Sequence, residues 1–189
     1  MDRADGEVAV PELPEVEVVR RGLERHLVGA RIEAVTVFDS RALKRHPGSA
    51  DDFAERLAGS TVTAAVRRGK FMWCPLDSGE ALVVHLGMSG QIRVLGEDSP
   101  KHERVRLLLA DRPPVSFHDQ RLFGSLALDV TADTADGLPA GFGSDASAIP
   151  SQVAHIARDV LDPALDDEVL IRRLRSRTVA VKTALLNQE

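Results

Sequence analysis

The densest set of reactive side chains in this sequence is Pro11-Glu12-Leu13-Pro14-Glu15, where two prolines limit the backbone and two carboxylates stand three residues apart at the mouth of a helix. Carboxylates so placed can move protons, although acids at a helix start also complement its dipole and Pro14 suits a first turn. Arg67-Arg68-Gly69-Lys70 lies between two apolar segments. It reads as a solvated turn, or as a phosphate contact with a lysine available for proton transfer. His85-Leu86-Gly87-Met88-Ser89-Gly90 joins two apolar segments through paired glycines. That is either a hairpin with a buried methionine or a tip offering Met88 as an apolar wedge to a base stack. His118-Asp119-Gln120-Arg121-Leu122-Phe123-Gly124 is a turn, or a loop that presents arginine and phenylalanine outward. No metal-ligand spacing, phosphate-cradling glycine loop or Ser/His/Asp order stands out.

Positioning these residues falls to 189 residues, enough for one domain with its own core and part of another. The chain is 43% hydrophobic and 28% charged, with no apolar run long enough for a membrane span, which argues against both disorder and a transmembrane protein. The first ten residues lack the basic head and apolar core of a signal peptide. One cysteine, Cys74, can make neither an internal disulfide nor a cysteine-based zinc site, and a reducing cytoplasm fits it best.

Val16, Val19, Leu23 and Leu27 recur at three- and four-residue steps and predict a helix over 15–28, stopped by Gly29. Short β-branched and apolar segments follow at 32–38, 61–66, 71–76, 81–86, 91–95, 105–109, 115–118 and 125–128. Eight of them at this spacing predict an α+β chain built on a two-layer antiparallel β-sandwich or barrel, interrupted by one helix over 50–57 with Ser49 as its cap. From Thr131 to Ile149 the composition turns to Ala, Asp, Gly, Ser and Pro without period, which reads as a linker or long surface loop. Two more helices are expected, over 166–176 with Asp166 as cap and from 179 to the end, where the sequence stops without a helix-ending signal.

The net charge of −5 hides a segregation. Residues 129–169 hold nine acidic and one basic side chain, whereas 101–128 and 170–189 are each net basic. Two basic segments around an acidic connector could form a one-sided face for a polyanion, or simply two solvated faces.

In order along the chain, PELPEVEVVRRGL, RRGKF, HLGMSG, KHERV, DQRLFG and VKTALLNQ resemble the successive signatures of the formamidopyrimidine-DNA glycosylase family, bacterial enzymes that remove oxidised purines from DNA. The resemblance covers residues 11–189. It implies a catalytic β-sandwich domain at 11–130, a linker at 131–150 and an incomplete helix–two-turn–helix domain at 151–189, after an N-terminal extension at 1–10. It also implies base excision repair of 8-oxoguanine and formamidopyrimidines in double-stranded DNA, and action at abasic sites. Pro11, as a terminal secondary amine, attacks the sugar C1′ and forms a Schiff base, with β/δ elimination following. Glu12 is the matching proton donor, Glu15 a second family carboxylate, and Lys70 the lysine that contacts phosphate and assists elimination. Met88, Arg121 and Phe123 match the residues that fill the void of a flipped base, Arg121 facing the orphaned cytosine. His85 and His102 match phosphate-side contacts, and a basic residue expected near Thr178 passes to Arg177. The complete protein is expected to be a monomer, and a truncated one to self-associate.

The sequence also departs from that pattern. Ten residues precede Pro11, so its nitrogen is an amide whose lone pair is delocalised, unless translation starts at Val10. The family's four-cysteine zinc finger is missing, which implies no metal and no other cofactor in this chain. Gln120 replaces the commoner Pro, Leu122 a second Arg, Arg104 a His and Asn187 an Asp. The alternative reading is a catalytically inactive remnant that binds DNA weakly and without specificity.

Overall fold

A computed structural model describes residues 10–94, 101–159 and 161–186. The first helix, α1 (Leu13–Leu27), turns Val16, Leu23 and Leu27 into the core. It starts two residues before the expected position because Pro14 fits the first turn, where its missing N–H is no loss. Glu15 Oε2 accepts the Glu12 N–H at 3.0 Å and so caps the helix mouth.

Among the described residues, nine strands follow in two antiparallel sheets. One has the order β1 (Ile32–Val37), β6 (Glu103–Leu109), β7 (Arg112–His118), β5 (Gln91–Val94). The other has the order β2 (Val66–Arg68), β3 (Phe71–Pro75), β4 (Glu80–His85), β8 (Ser125–Asp133), β9 (Ala148–Pro150). The expected sandwich is therefore present. A short 3-10 helix (Ser40–Leu43) and α2 (Ala50–Leu57) sit between β1 and β2, and Ser49 caps α2 as anticipated, its Oγ accepting the Asp52 N–H at 3.0 Å.

Between the sheets lies the main core, closed by Val16, Leu23 and Leu27 of α1 and by Phe53 and Leu57 of α2. Alternation along β3 and β4 sends Met72, Cys74, Leu82 and Val84 into it. Their neighbours Phe71, Trp73, Ala81 and Val83 face the other way, into a second cluster with Ala140, Ile149, Val153 and Ile156. Both faces of this sheet are covered, which is why β3 and β4 read as unbroken apolar runs.

That second cluster corrects the reading of 131–149 as a linker or loop. β8 continues to Asp133, β9 pairs with it, and Arg67 and Phe142 exchange backbone hydrogen bonds of 2.9 Å in each direction. At Gly141 an added Cβ would lie 2.3 Å from the Arg67 carbonyl oxygen, so this close approach requires glycine. Burying Ile149, Val153 and Ile156 drives a segment without sequence period onto the sheet.

Three smaller differences share a cause in strand pairing. The strand expected over 61–66 is reduced to bridges at Thr61 and Val62, because its backbone groups divide between Ala30 beside one sheet and Pro75 in the other. Arg67 and Arg68 belong to β2, leaving Gly69 and Lys70 as the turn. The segment 86–90 is no hairpin: β4 already has β3 and β8 on its two edges, so the chain crosses to the other sheet, where β5 pairs with β7. The C-terminal helices α3 (Asp167–Arg175) and α4 (Val181–Leu186) form where expected. Asp166 caps α3 by accepting the Glu168 and Val169 N–H groups, yet α3 has no buried residue. The extension at 1–9, Leu95 and Asn187 lie outside the described residues.

Candidate active site

Strand register brings the chemistry to one end of the sandwich. Phe71 pairs with His85 and His85 with Ser125, so the turn before β3, the crossing after β4 and the loop before β8 emerge side by side. On the facing sheet, His118 pairs with both Gln91 and Glu103, bringing the other ends of the same connections to this place.

The mouth of α1 closes the group. Lys70 Nζ lies 2.6 Å from Glu12 Oε2, joining two of the sequence-predicted residues across almost sixty positions. Glu15 reaches the Glu12 backbone rather than its side chain, so within this structure it orients the helix mouth. Pro11 is partly exposed next to Glu12, its nitrogen acylated by Val10.

The Gly69-Lys70 turn is held from beneath. Arg67 donates from Nε to Glu17 at 3.0 Å, and from Nη1 to the Gly69 carbonyl at 3.0 Å and to Asp159 at 3.1 Å. Asp159 also accepts the Gly69 N–H at 3.2 Å. Burial opposes ionisation of Glu17, but hydrogen bonds from Arg20, Arg67 and Arg21 outweigh it and hold the carboxyl at about 2.

His85 is half-buried beside Phe71, with ring centroids 4.7 Å apart, and the Arg45 guanidinium lies 5.2 Å over the Phe71 ring. Burial, reinforced by the charges of Arg45, Lys44 and Lys70, pulls the imidazole down to about 4. The ring is therefore neutral at pH 7, and its buried Nδ1 has no partner among the described residues. A neutral imidazole among cations can offer an N–H to a phosphate oxygen without adding charge of its own.

Beyond His85 stand the two crossings. Met88 is 38% exposed, Phe123 is 51% exposed and Arg121 is exposed. The methionine is therefore displayed rather than buried as the hairpin reading supposed. At Gly87, with φ +60°, an added Cβ would lie 2.4 Å from the Phe123 carbonyl carbon, so the two loops touch backbone to backbone. His102 is exposed and accepts the Asp119 N–H on its carbonyl. Arg177 is exposed beyond α3, and no contact among the described residues ties it to Glu12, Lys70 or the loops.

Sequence reasoning missed Lys44, Arg45, Asp119 and Asp159. Asp119 stands inside a quoted motif, but only tertiary structure buries it. Asp159 lies in the segment read as following a linker, and nothing in its spacing points to Arg67. Two of the departures become intelligible: Arg104 donates to Asp39 and to the Asp119 carbonyl, and Leu122, at φ +57°, packs against the core while its carbonyl accepts from Lys44 Nζ at 2.6 Å.

The family's zinc finger finds no counterpart among the described residues. They hold no group of three His, Cys, Asp or Glu able to bind a metal, and Cys74 is fully buried in β3. Burial pushes its thiol up to about 12, unlike a metal-binding thiolate.

The family model for the formamidopyrimidine-DNA glycosylase N-terminal domain matches residues 10–126. A formamidopyrimidine-DNA glycosylase of Leifsonia xyli is 47% identical over 187 residues, covering 95% of this chain and 63% of the relative. One from a Nocardioides strain is 49% identical over 184 residues, covering 95% of this chain and 58% of the relative. The crystal structure of Lactococcus lactis Fpg in complex with DNA containing an abasic site superimposes with a TM-score of 0.72 at 26% identity, covering 94% of this chain and 61% of that one. The chain thus spans about three fifths of the length of these relatives. With the match running unbroken from the mouth of α1 into β8, and with relatives near half identity along almost the whole chain, this protein belongs to the formamidopyrimidine-DNA glycosylase family.

Proposed function

We propose that this chain is the nucleophile-bearing part of a DNA glycosylase and abasic-site lyase that excises oxidised purines, 8-oxoguanine and formamidopyrimidines, from double-stranded DNA. One observation carries the reading: the Glu12–Lys70 pair stands beside two crossings that display Met88, Arg121 and Phe123. A base must leave the stack before its sugar can be attacked, and exposed apolar and cationic side chains on a rigid end of a sandwich suit the space it vacates. The Pro11 nitrogen, as a free secondary amine, forms a bond to C1′. The bond from C1′ to the base breaks with its electron pair going to the base, and Glu12 supplies the proton. The nitrogen lone pair, freed by loss of its proton, then forms the iminium with C1′ as the C1′–O4′ bond breaks with its electron pair going to O4′, which takes up a proton. Removal of a C2′ proton then expels the 3′ phosphate, with Lys70 placed at the phosphate. His85 and His102 contact the backbone. The sandwich, with the segment that returns onto it up to Ile156, and the helices α3 and α4 form the two sides of a DNA cleft, Arg177 contributing from the second. The protein acts in the cytoplasm, where bacterial DNA lies. Among the described residues no helix is long and apolar enough to cross a membrane.

A second reading, an inactive chain with weak nonspecific binding, is favoured by one fact: Val10 makes the Pro11 nitrogen an amide. Borohydride trapping on abasic-site DNA separates the two. A form beginning at Pro11 should give a covalent adduct, the full 189-residue chain none, and Pro11→Gly should weaken trapping severely. Equal trapping by both forms refutes terminal-proline chemistry, and none by either supports the second reading.

A further inference from the structure

The Asp119 side chain is 1% exposed, and a buried carboxylate is costly unless its oxygens are satisfied. Here Oδ1 accepts from Ser89 Oγ at 2.5 Å and from the Arg121 N–H at 3.1 Å, and Oδ2 accepts from the Gly124 N–H at 2.7 Å. These donors come from two crossings whose flanking strands pair, β4 with β8 and β5 with β7, and the carboxylate is the side chain that bonds to both. Each donor lies within one or two residues of an exposed side chain outside both core clusters: Ser89 next to Met88, and Arg121 and Gly124 on either side of Phe123. Behind the carboxylate, the Asp119 backbone is anchored at both ends, its N–H to the His102 carbonyl at 3.1 Å and its carbonyl to Arg104 Nε at 2.8 Å.

We propose that Asp119 is a positioning residue that couples the Met88 crossing to the Arg121–Phe123 loop, so that both sets of DNA-facing side chains enter the duplex as one preorganised unit. This rests on the reading of those side chains as void-filling groups. Two backbone N–H groups, one on each oxygen, suit a carboxylate: an asparagine that keeps its oxygen on the Gly124 N–H turns its NH2 toward the other side, where Ser89 Oγ can accept it but the Arg121 N–H loses its carboxylate acceptor. Fixing exposed side chains before binding lowers the ordering cost of the complex.

The test uses the 189-residue chain with Asp119→Asn and Ser89→Ala. Because Ser89 lies in one crossing and Gly124, which it does not bond, in the other, Ser89→Ala should speed amide exchange at Gly124 by about threefold. Asp119→Asn should speed exchange at Gly124 and Arg121 by about tenfold or more and also broaden the Met88 methyl resonance, with Val83 and Leu107 unchanged in both. Unchanged exchange across the loops in Ser89→Ala overturns the coupling whether or not the chain acts on DNA. The DNA readout is 2-aminopurine beside a tetrahydrofuran abasic site, compared with borohydride trapping on single-stranded abasic DNA by the form beginning at Pro11. Asp119→Asn should lose most of the duplex fluorescence response while trapping on the single strand stays within about twofold. Equal loss in both assays makes Asp119 a fold support and overturns the proposal. A parent chain that gives neither signal defeats the void-filling reading, and with it the DNA half of this proposal, while exchange still decides the coupling.

Discussion

Arg67→Ala removes the guanidinium that joins α1, the Lys70 turn and the segment after β9. Arg67 is buried, and its two acidic partners fare differently once it is gone. Glu17 keeps Arg20 and Arg21, whereas Asp159, with a side chain only 9% exposed, keeps the Gly69 N–H and loses its counter-charge. Removing one partner of a buried pair costs about 3–5 kcal/mol, and the surviving partners of Glu17 place this case near the lower end, about 3 kcal/mol. For a chain of this length that lowers Tm by about 6–12 °C. The single tryptophan, Trp73, is fully buried beside the same segment, so urea unfolding followed by its fluorescence reports the loss directly. Adding Asp159→Asn should recover part of it, because the stranded carboxylate is then neutral. The acid limb gives a second check. A carboxyl held below its unfolded value adds stability that is complete above that value and is lost as pH falls toward the folded one. Glu17 moves from its ordinary 4.5 to about 2, so the parent chain should lose this contribution between those limits. In Arg67→Ala, where one of three guanidinium donors is gone, the contribution should be smaller and its loss complete at a higher pH, while the onset stays at the unfolded value. A cost below about 1 kcal/mol, the range of exposed ion pairs, would refute the buried-network account.

Hydrogen exchange on the 189-residue chain at low concentration should be slow around Val83 and Leu108 and fast through α3 and α4, because α3 buries nothing and Val169, Ile171 and Val181 are exposed. Protection of α3 equal to that of β4 in a monomer would mean that the helix finds a surface the structure does not show. Lys44, Arg45, Lys70 and Arg121 are the cations grouped at the site, so duplex affinity of this chain should be nonspecific, about 10⁻⁴ to 10⁻⁶ M, with a log–log salt slope of about −3 to −4. A slope steeper than about −6, or nanomolar lesion-specific binding, would show that cations elsewhere carry the interaction.

Features that depend on local periodicity and on helix caps were legible in the residues alone. The three- and four-residue steps of Val16, Leu23 and Leu27 specified α1 and its buried face, and Ser49 and Asp166 marked the starts of α2 and α3. Short apolar segments between turn residues located most strands of the sandwich. The ordered motifs also indicated the family before any geometry was known. Tertiary structure alone decided which strands pair, because register depends on edges already occupied: β4, flanked by β3 and β8, sends its chain across to the other sheet and turns an expected hairpin into a display of Met88. It likewise decided the fate of 131–150, whose weak local preferences are overruled by burial of Ile149 and Ala140 against Trp73 and Val83. Asp119 and Asp159 could not be distinguished in the sequence from solvated acids. Their roles arise from donors thirty and ninety residues away, brought within hydrogen-bonding distance only when the two sheets and the returning segment have packed.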